Sequence, residues 1–179
     1  MPCVFLFNRM FKYCTLQDAN ALAQISAKTY SQHYPYLWLD GGKHYINTCF
    51  NIETLKHELS DSNTQFYLIN QAKKSVGILK INVDSGTDNH DAKIALEIQR
   101  LYLLEEAAGL GLGKAAINFV IDLARKNGKQ IVWLRAMKSS KAVDFYKKLG
   151  FEIEKEALFE FPMIKPEEKG ILWMVRRIE

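Results

Sequence analysis

The chain has 179 residues, 48% of them hydrophobic, with 24 Lys and Arg against 20 Asp and Glu for a formal net charge of +4. That length suits one domain, 1–179, with a real core, and the basic residues are scattered along the chain, which argues against a nucleic-acid partner. Cys3, Cys14 and Cys49 form no CxxC pair and the four histidines lack ligand spacing, which excludes a disulfide framework and a metal site.

The apolar start, Met1 to Phe7, is interrupted by Asn8 and Arg9 before it reaches signal-peptide length, and no segment approaches the roughly 18 apolar residues of a membrane helix. A cytoplasmic protein with reduced thiols and no membrane partner is expected. A first strand ends near Tyr13. Thr15, with Asp18 three residues on, then predicts a helix start, and Leu22, Ile25, Ala27 and Tyr30 supply its apolar positions. The aromatic stretch Tyr34 to Trp38 closes that helix. A second helix is predicted over Ile52 to Leu59, before the breaker cluster Ser60-Asp61-Ser62-Asn63.

Phe66 to Ile69 and Val76 to Val83 read as a hairpin around a polar turn, Asn70 to Lys74. The polar run Asp84 to Asp91 is a loop, and Lys93 to Leu104 a long strand leading into a glycine-rich segment. Leu112, Ala116, Phe119, Val120 and Leu123 trace one face of a helix that stops at Lys126-Asn127-Gly128. A short strand over Ile131 to Leu134, a helix from Ala142 to Leu149 ended by Gly150, and strands over Phe151 to Phe159 and Gly170 to Val175 complete the chain. The predicted order is β-α-α-β-β-β-α-β-α-β-β.

Gly109-Leu110-Gly111-Leu112-Gly113-Lys114 lies between a strand and a helix, where backbone N–H groups can converge on phosphate oxygens without Cβ obstruction. A Walker A loop is excluded, because Ala108 and Ala115 stand where it needs Gly and Ser or Thr. The dinucleotide fingerprint is formally met by Gly111, Gly113 and Ala116, but Trp133 to Ala136 offers no acidic ribose ligand, so a nicotinamide-linked oxidoreductase is disfavoured. A tight turn that binds nothing is the structural alternative.

Two segments together carry a resemblance. Glu97-Ile98-Gln99-Arg100-Leu101-Tyr102-Leu103 through Gly113-Lys114-Ala115 resembles the strand, Q/R-x-x-G-x-G/A loop and helix of the GNAT superfamily of acetyltransferases. Ala142-Val143-Asp144-Phe145-Tyr146-Lys147-Lys148-Leu149-Gly150-Phe151 resembles that family's A-x-x-F-Y-x-x-x-G-F signature. Two positions depart: Ala108 replaces the favoured Gln or Arg, and Ser139 an Asn that often precedes the second signature.

The resemblance implies an α/β (α+β) domain, with a mixed, mostly antiparallel sheet of about seven strands flanked by about four helices. It also implies acetyl-CoA as co-substrate and a small-molecule amine as acceptor, attacked directly in a ternary complex, and it allows a homodimer in which Val4 to Phe7 would be a contact. Acetyl-CoA would lie on Leu101, Tyr102 and Leu103, on Ala108, Gly109, Leu110, Gly111, Leu112, Gly113 and Lys114, and on Ser139, Ala142 and Tyr146. Tyr146 would protonate the leaving thiolate, an ordinary phenol with pKa about 10 being a ready donor. Its competing reading is a place in the apolar stripe of its helix. Glu97 would take the amine proton, with Glu105 and Glu106 as weaker candidates; its competing reading is a sheet-face charge paired with Arg100 or a lysine. Phe145, Phe151, Trp133 and Trp173 read as packing residues.

Tyr34, Tyr36, Trp38, Asp40, Glu53, Glu58 and Asp61 fall in the region that builds the family's acceptor site. Aromatic faces with carboxylates suit a cationic amine, and the block before the glycines resembles bacterial polyamine acetyltransferases. An acyl-CoA-binding module without turnover is the alternative of a different class.

Overall fold

The computed structural model describes residues 10–179, so the contact expected of Val4 to Phe7 lies outside the described residues. Strand β1 (Phe11–Tyr13) leads through the 3₁₀ turn Leu16–Asp18 into helix α1 (Ala19–His33). The entry, at the helix start expected at Thr15, is a capping box: the Thr15 N–H donates to Asp18 Oδ2 at 2.9 Å. Leu22, Ile25 and Tyr30 are buried along the inner side of α1.

Helix α2 (Lys43–Cys49) is absent from the predicted order, and it raises the helices among the described residues from the expected four to five, with α3 at Ile52–Leu59. Its seven residues show no clear amphipathic period. What starts it is Asp40, whose carboxylate accepts from the Gly42 N–H at 2.9 Å and the His44 N–H at 2.7 Å, after two glycines at positive φ. Such a cap becomes visible only once the chain has turned.

Strands β2 (Thr64–Gln71) and β3 (Lys74–Asn82) form the hairpin, and its turn is only Ala72-Lys73, both at positive φ (47° and 68°), as a twisted two-residue turn requires. The five-residue turn expected here is therefore tighter, because ladder pairing extends to Gln71 and Lys74. Next along the chain come β4 (Ala95–Leu103), α4 (Leu112–Lys126), β5 (Ile131–Met137), α5 (Ala142–Lys148), β6 (Glu152–Leu158) and β7 (Gly170–Arg177).

The seven strands form one sheet in the order β1-β2-β3-β4-β5-β7-β6, antiparallel except for the β4/β5 pair, which α4 connects. Phe66, Ile78, Leu96, Val132, Leu134 and Met174 from the sheet, with Leu22, Ile117 and Val120 from the helices, make the main core. Among the described residues no helix is long and apolar enough to cross a membrane.

Two irregularities of β4 open the middle of the sheet. Lys80 faces Arg100 while Ile81 faces Ile98, so Gln99 is an extra residue bulging from β4. Parallel pairing of β4 with β5 covers only Ala95–Ile98 against Ile131–Leu134, so beyond the bulge the strands part.

Gly77 of β3 lets this half of β4 approach. A Cβ there would stand 2.4 Å from Tyr102 O and 2.6 Å from Leu103 Cδ2. Gly77→Ala is expected to cost about 1–3 kcal/mol in a urea titration, as overpacking does. An unchanged midpoint would mean that β4 yields freely.

Candidate active site

Past the bulge, β4 has a neighbour on one side only. Leu104 N–H donates to Val76 O at 2.8 Å, so by strand alternation the backbone groups of Leu101 and Leu103 face away from β3, into the gap. His33 Nε2 reaches the Leu103 carbonyl at 2.8 Å across that gap, with the imidazole N–H as donor.

The gap opens into a cavity of about 860 Å³. Its walls are Leu101 to Leu103 of β4 with Leu104, the glycine loop and first turn of α4, Ser139 to Ala142 with Phe145 and Tyr146, and Gln32 and His33 at the end of α1 with Tyr34 and Tyr36 after it. Gly109 and Gly111 hold φ of 75° and 76°, and a Cβ on either would meet nothing within 4 Å, so both leave open backbone facing the cavity. Gly113 serves packing, since its Cβ would stand 3.1 Å from Phe145 Cζ. Gly111 is the N-cap of α4 and no side chain caps that end. The first-turn N–H groups of the helix and the positive end of its dipole are thus offered to an anion.

A second, smaller cavity of about 210 Å³ adjoins the first, and both share Tyr34, Leu101, Tyr102, Ser140, Ala142 and Tyr146. Tyr30, Trp38 and Tyr45 form much of its wall: the Tyr30 and Tyr45 rings stack at 4.6 Å, those of Trp38 and Tyr45 at 5.0 Å, and Trp38 Nε1 donates to the Tyr30 hydroxyl at 3.1 Å. Burial raises the tyrosine hydroxyls here, that of Tyr45 to about 12, so they stay neutral at pH 7. The opposite wall comes from the separated strands, with Gln99 and Arg100 on β4 and Arg135 on β5.

A family model described as "Acetyltransferase (GNAT) family" matches residues 20–151, most of the chain and both signature segments. The chain belongs to the acetyltransferase (GNAT) family. An uncharacterized N-acetyltransferase of Methanocaldococcus jannaschii is 33% identical over 115 residues, 63% of this chain and 45% of that protein. N-acetyltransferase 8 of Rattus norvegicus is 25% identical over 133 residues, 70% of this chain and 59% of that protein. The chain thus spans about half the length of these curated relatives. Among solved structures, the Paia N-acetyltransferase of Thermoplasma acidophilum, in complex with coenzyme A, superposes with a TM-score of 0.74 at 16% identity, over 94% of this chain and 98% of that one. It supports the GNAT fold.

Of the residues expected to lie along acetyl-CoA in this GNAT chain, all but one line the larger cavity. The exception is Leu110, which is 53% exposed and points off the loop. Ala108 lines the cavity with no side chain to reach across it, and the Ser139 hydroxyl is engaged by Glu168. Tyr146 is buried where the cavities meet, flanked by Phe145 and Phe151 with ring centroids at 5.2 and 5.8 Å. Burial, reinforced by Tyr34, raises its phenol further above the usual range.

Glu97 lines neither cavity. It lies before the bulge and is 3% exposed; its Oε2 accepts from Asn82 Nδ2 at 2.8 Å and Ser85 Oγ at 3.1 Å, and its Oε1 from Arg135 at 3.0 Å. The pairing partner is Arg135, not the Arg100 or lysine considered from sequence, because β5 runs beside β4 at that level. Glu105 and Glu106 are exposed on the 3₁₀ turn after β4 and line neither cavity.

The acceptor-side carboxylates also separate from the cavity. Asp40 caps α2, Glu53 pairs with Lys56 in solvent, Asp61 accepts from the Asn63 N–H, and Glu58 holds Arg100 and Lys80 behind the wall. Trp133 and Trp173 stack at 4.9 Å on the sheet, as packing residues. Sequence reading missed Tyr30, Tyr45, Gln99, Arg100 and Arg135 as lining residues. Arg135 left a readable signal, a guanidinium between Leu134 and Ala136 in a buried strand; the bulge at Gln99 left none.

Proposed function

We propose that this chain is an acetyl-CoA-dependent N-acetyltransferase acting on the primary amine of a small molecule by direct attack in a ternary complex. The observation that carries the reading is the meeting of a phosphate-type cleft and an aromatic acceptor cavity at one buried phenol, Tyr146. The residues present suit acetyl-CoA: the uncapped first turn of α4 and the open Gly109 and Gly111 would receive its pyrophosphate, and Leu101 and Leu103 offer its amide arm a strand edge that no strand pairs, where the Leu103 carbonyl already accepts from His33. When bound, it supplies a thioester whose C–S bond breaks as the amine nitrogen bonds to the carbonyl carbon.

The chain's own groups do the rest. The aromatic wall limits water and orients the amine; an entering ammonium gives one proton to solvent at the cavity mouth, and the proton that the nitrogen sheds as the amide forms leaves to solvent by the same route. Tyr146 Oη donates a proton to the departing sulfur and recovers one from solvent. Glu97, expected as the base, is given no proton-transfer step, because it stands outside both cavities.

Thiol release from acetyl-CoA, followed against a panel of amines that includes spermidine, tests the reading alongside calorimetric titration of acetyl-CoA. Binding in the micromolar range with thiol release that depends on an amine supports it. Binding without release from any amine would establish the module without turnover, and absence of binding would overturn the assignment of the glycine loop.

A further inference from the structure

We propose that the acceptor amine carries a carboxylate, received by Arg135, so that the substrate is of amino-acid type rather than a polycation; this rests on the transferase reading above. The charge inventory of the smaller cavity points there. Its formally charged lining residues are Arg100 and Arg135, and no Asp or Glu lines it. A polyamine entering would meet two guanidinium groups and leave its own charges unpaired in a desolvated site, which is costly.

The two arginines differ in what they have free. Arg100 is locked in a two-pronged pair with Glu58, NH1 at 2.7 Å and NH2 at 2.9 Å, and lies over Phe50. Arg135 makes one hydrogen bond among the described residues, from NH2 to Glu97, and is 39% exposed, so most of its donor fork remains available. Its guanidinium is held in place, 5.9 Å from the Trp133 ring centroid and 5.8 Å from that of Trp173. A planar fork fixed on indole faces and anchored at one corner is preorganised for a carboxylate. By strand alternation Arg135 shares its sheet face with Met137, which packs against the aromatic cluster bounding the cavity.

Size and polarity narrow the class further. At about 210 Å³ the cavity is below the roughly 300–1,000 Å³ of sites for drug-sized ligands, which suits a single small acceptor. Tyr30, Trp38 and Tyr45 favour an apolar or aromatic body. Gln99 Oε1 is buried with no hydrogen-bond partner and is available to accept an amine N–H. Glu97 then acts as a positioning residue through Arg135.

The experiment compares L-tyrosine, tyramine, which lacks the carboxylate, and spermidine at saturating acetyl-CoA. The expected result is a kcat/KM for tyrosine about tenfold to a hundredfold above that for tyramine or spermidine, the discrimination a charge-assisted hydrogen bond gives. Arg135→Gln should bring the tyrosine-to-tyramine ratio toward one through KM rather than kcat, and Arg135→Lys, which keeps the charge, should retain part of it. Glu97→Gln should raise KM for tyrosine severalfold by loosening the guanidinium. Circular dichroism of each variant establishes that the fold is kept. Preference for tyramine or spermidine, or a ratio unmoved by Arg135→Gln, overturns the proposal while the transferase reading stands. Failure of all three amines with acetyl-CoA bound overturns the proposal, and only failure of the whole amine panel overturns the transferase reading with it.

Discussion

Tyr146→Phe is expected to lower kcat by about 10²–10⁴-fold, the range that general acid catalysis contributes, with little change in the KM for acetyl-CoA. The substitution removes one oxygen and keeps the ring, so the contacts with Phe145 and Phe151 survive and the loss reports proton donation alone. The pH profile provides a second check. Because burial raises the phenol, Tyr146 stays protonated well past neutrality and contributes no alkaline limb between pH 7 and 9. A rate retained in the Phe variant would leave Tyr146 as a packing residue, its competing assignment.

Glu58→Gln should be the most destabilising single change near the site, at about 3–5 kcal/mol, the cost of breaking a buried pair from one side. Glu58 Oε1 lies 2.8 Å from Lys80 Nζ, and its two oxygens hold the Arg100 fork; Lys80 is 4% exposed and Arg100 9%. The amide would leave both cations buried without the carboxylate that pairs them. Burial pushes the Glu58 carboxyl upward, but the charge and hydrogen bonds of Arg100, followed by those of Lys80, outweigh it and hold the group below its usual range. A depressed carboxylate contributes stability that is full above its unfolded pKa, about 4.3, and is lost as pH falls through the folded value. The stability gap between wild type and variant, read from urea midpoints, should therefore narrow in acid. Equal midpoints at pH 7 would show that water or an anion replaces Glu58. Freed from Glu58, Arg100 would also present more charge to the acceptor cavity, so any carboxylate-bearing amine should bind the surviving fold more tightly.

Much of the larger cavity was legible in the sequence because its makers are local. The capping box at Thr15, the glycines before α4, the stop at Gly128 and the Phe145-Tyr146 pair are fixed by conformational preferences acting within a few residues. The family signatures add the order in which these pieces succeed one another. Helix α2 escaped because its start depends on Asp40 turning back onto the Gly42 and His44 N–H groups, a contact with no periodic signal. Carboxylates of the acceptor region suggested a cationic substrate, and each is engaged elsewhere in the folded chain.

By itself, then, the sequence determined the element order apart from α2, the anion-ready turn at Gly109 to Lys114 and the presence of a phenol on α5, since each depends on neighbours along the chain. Only the tertiary structure decided which charges face the smaller cavity. One inserted residue at Gln99 parts β4 from β5, places Glu97 on the paired side and brings Arg135 to the cavity from 38 residues away in sequence. Side chains facing one cavity are chosen by strand register and sheet order, and those are set by the pairing of distant segments, which no local preference encodes.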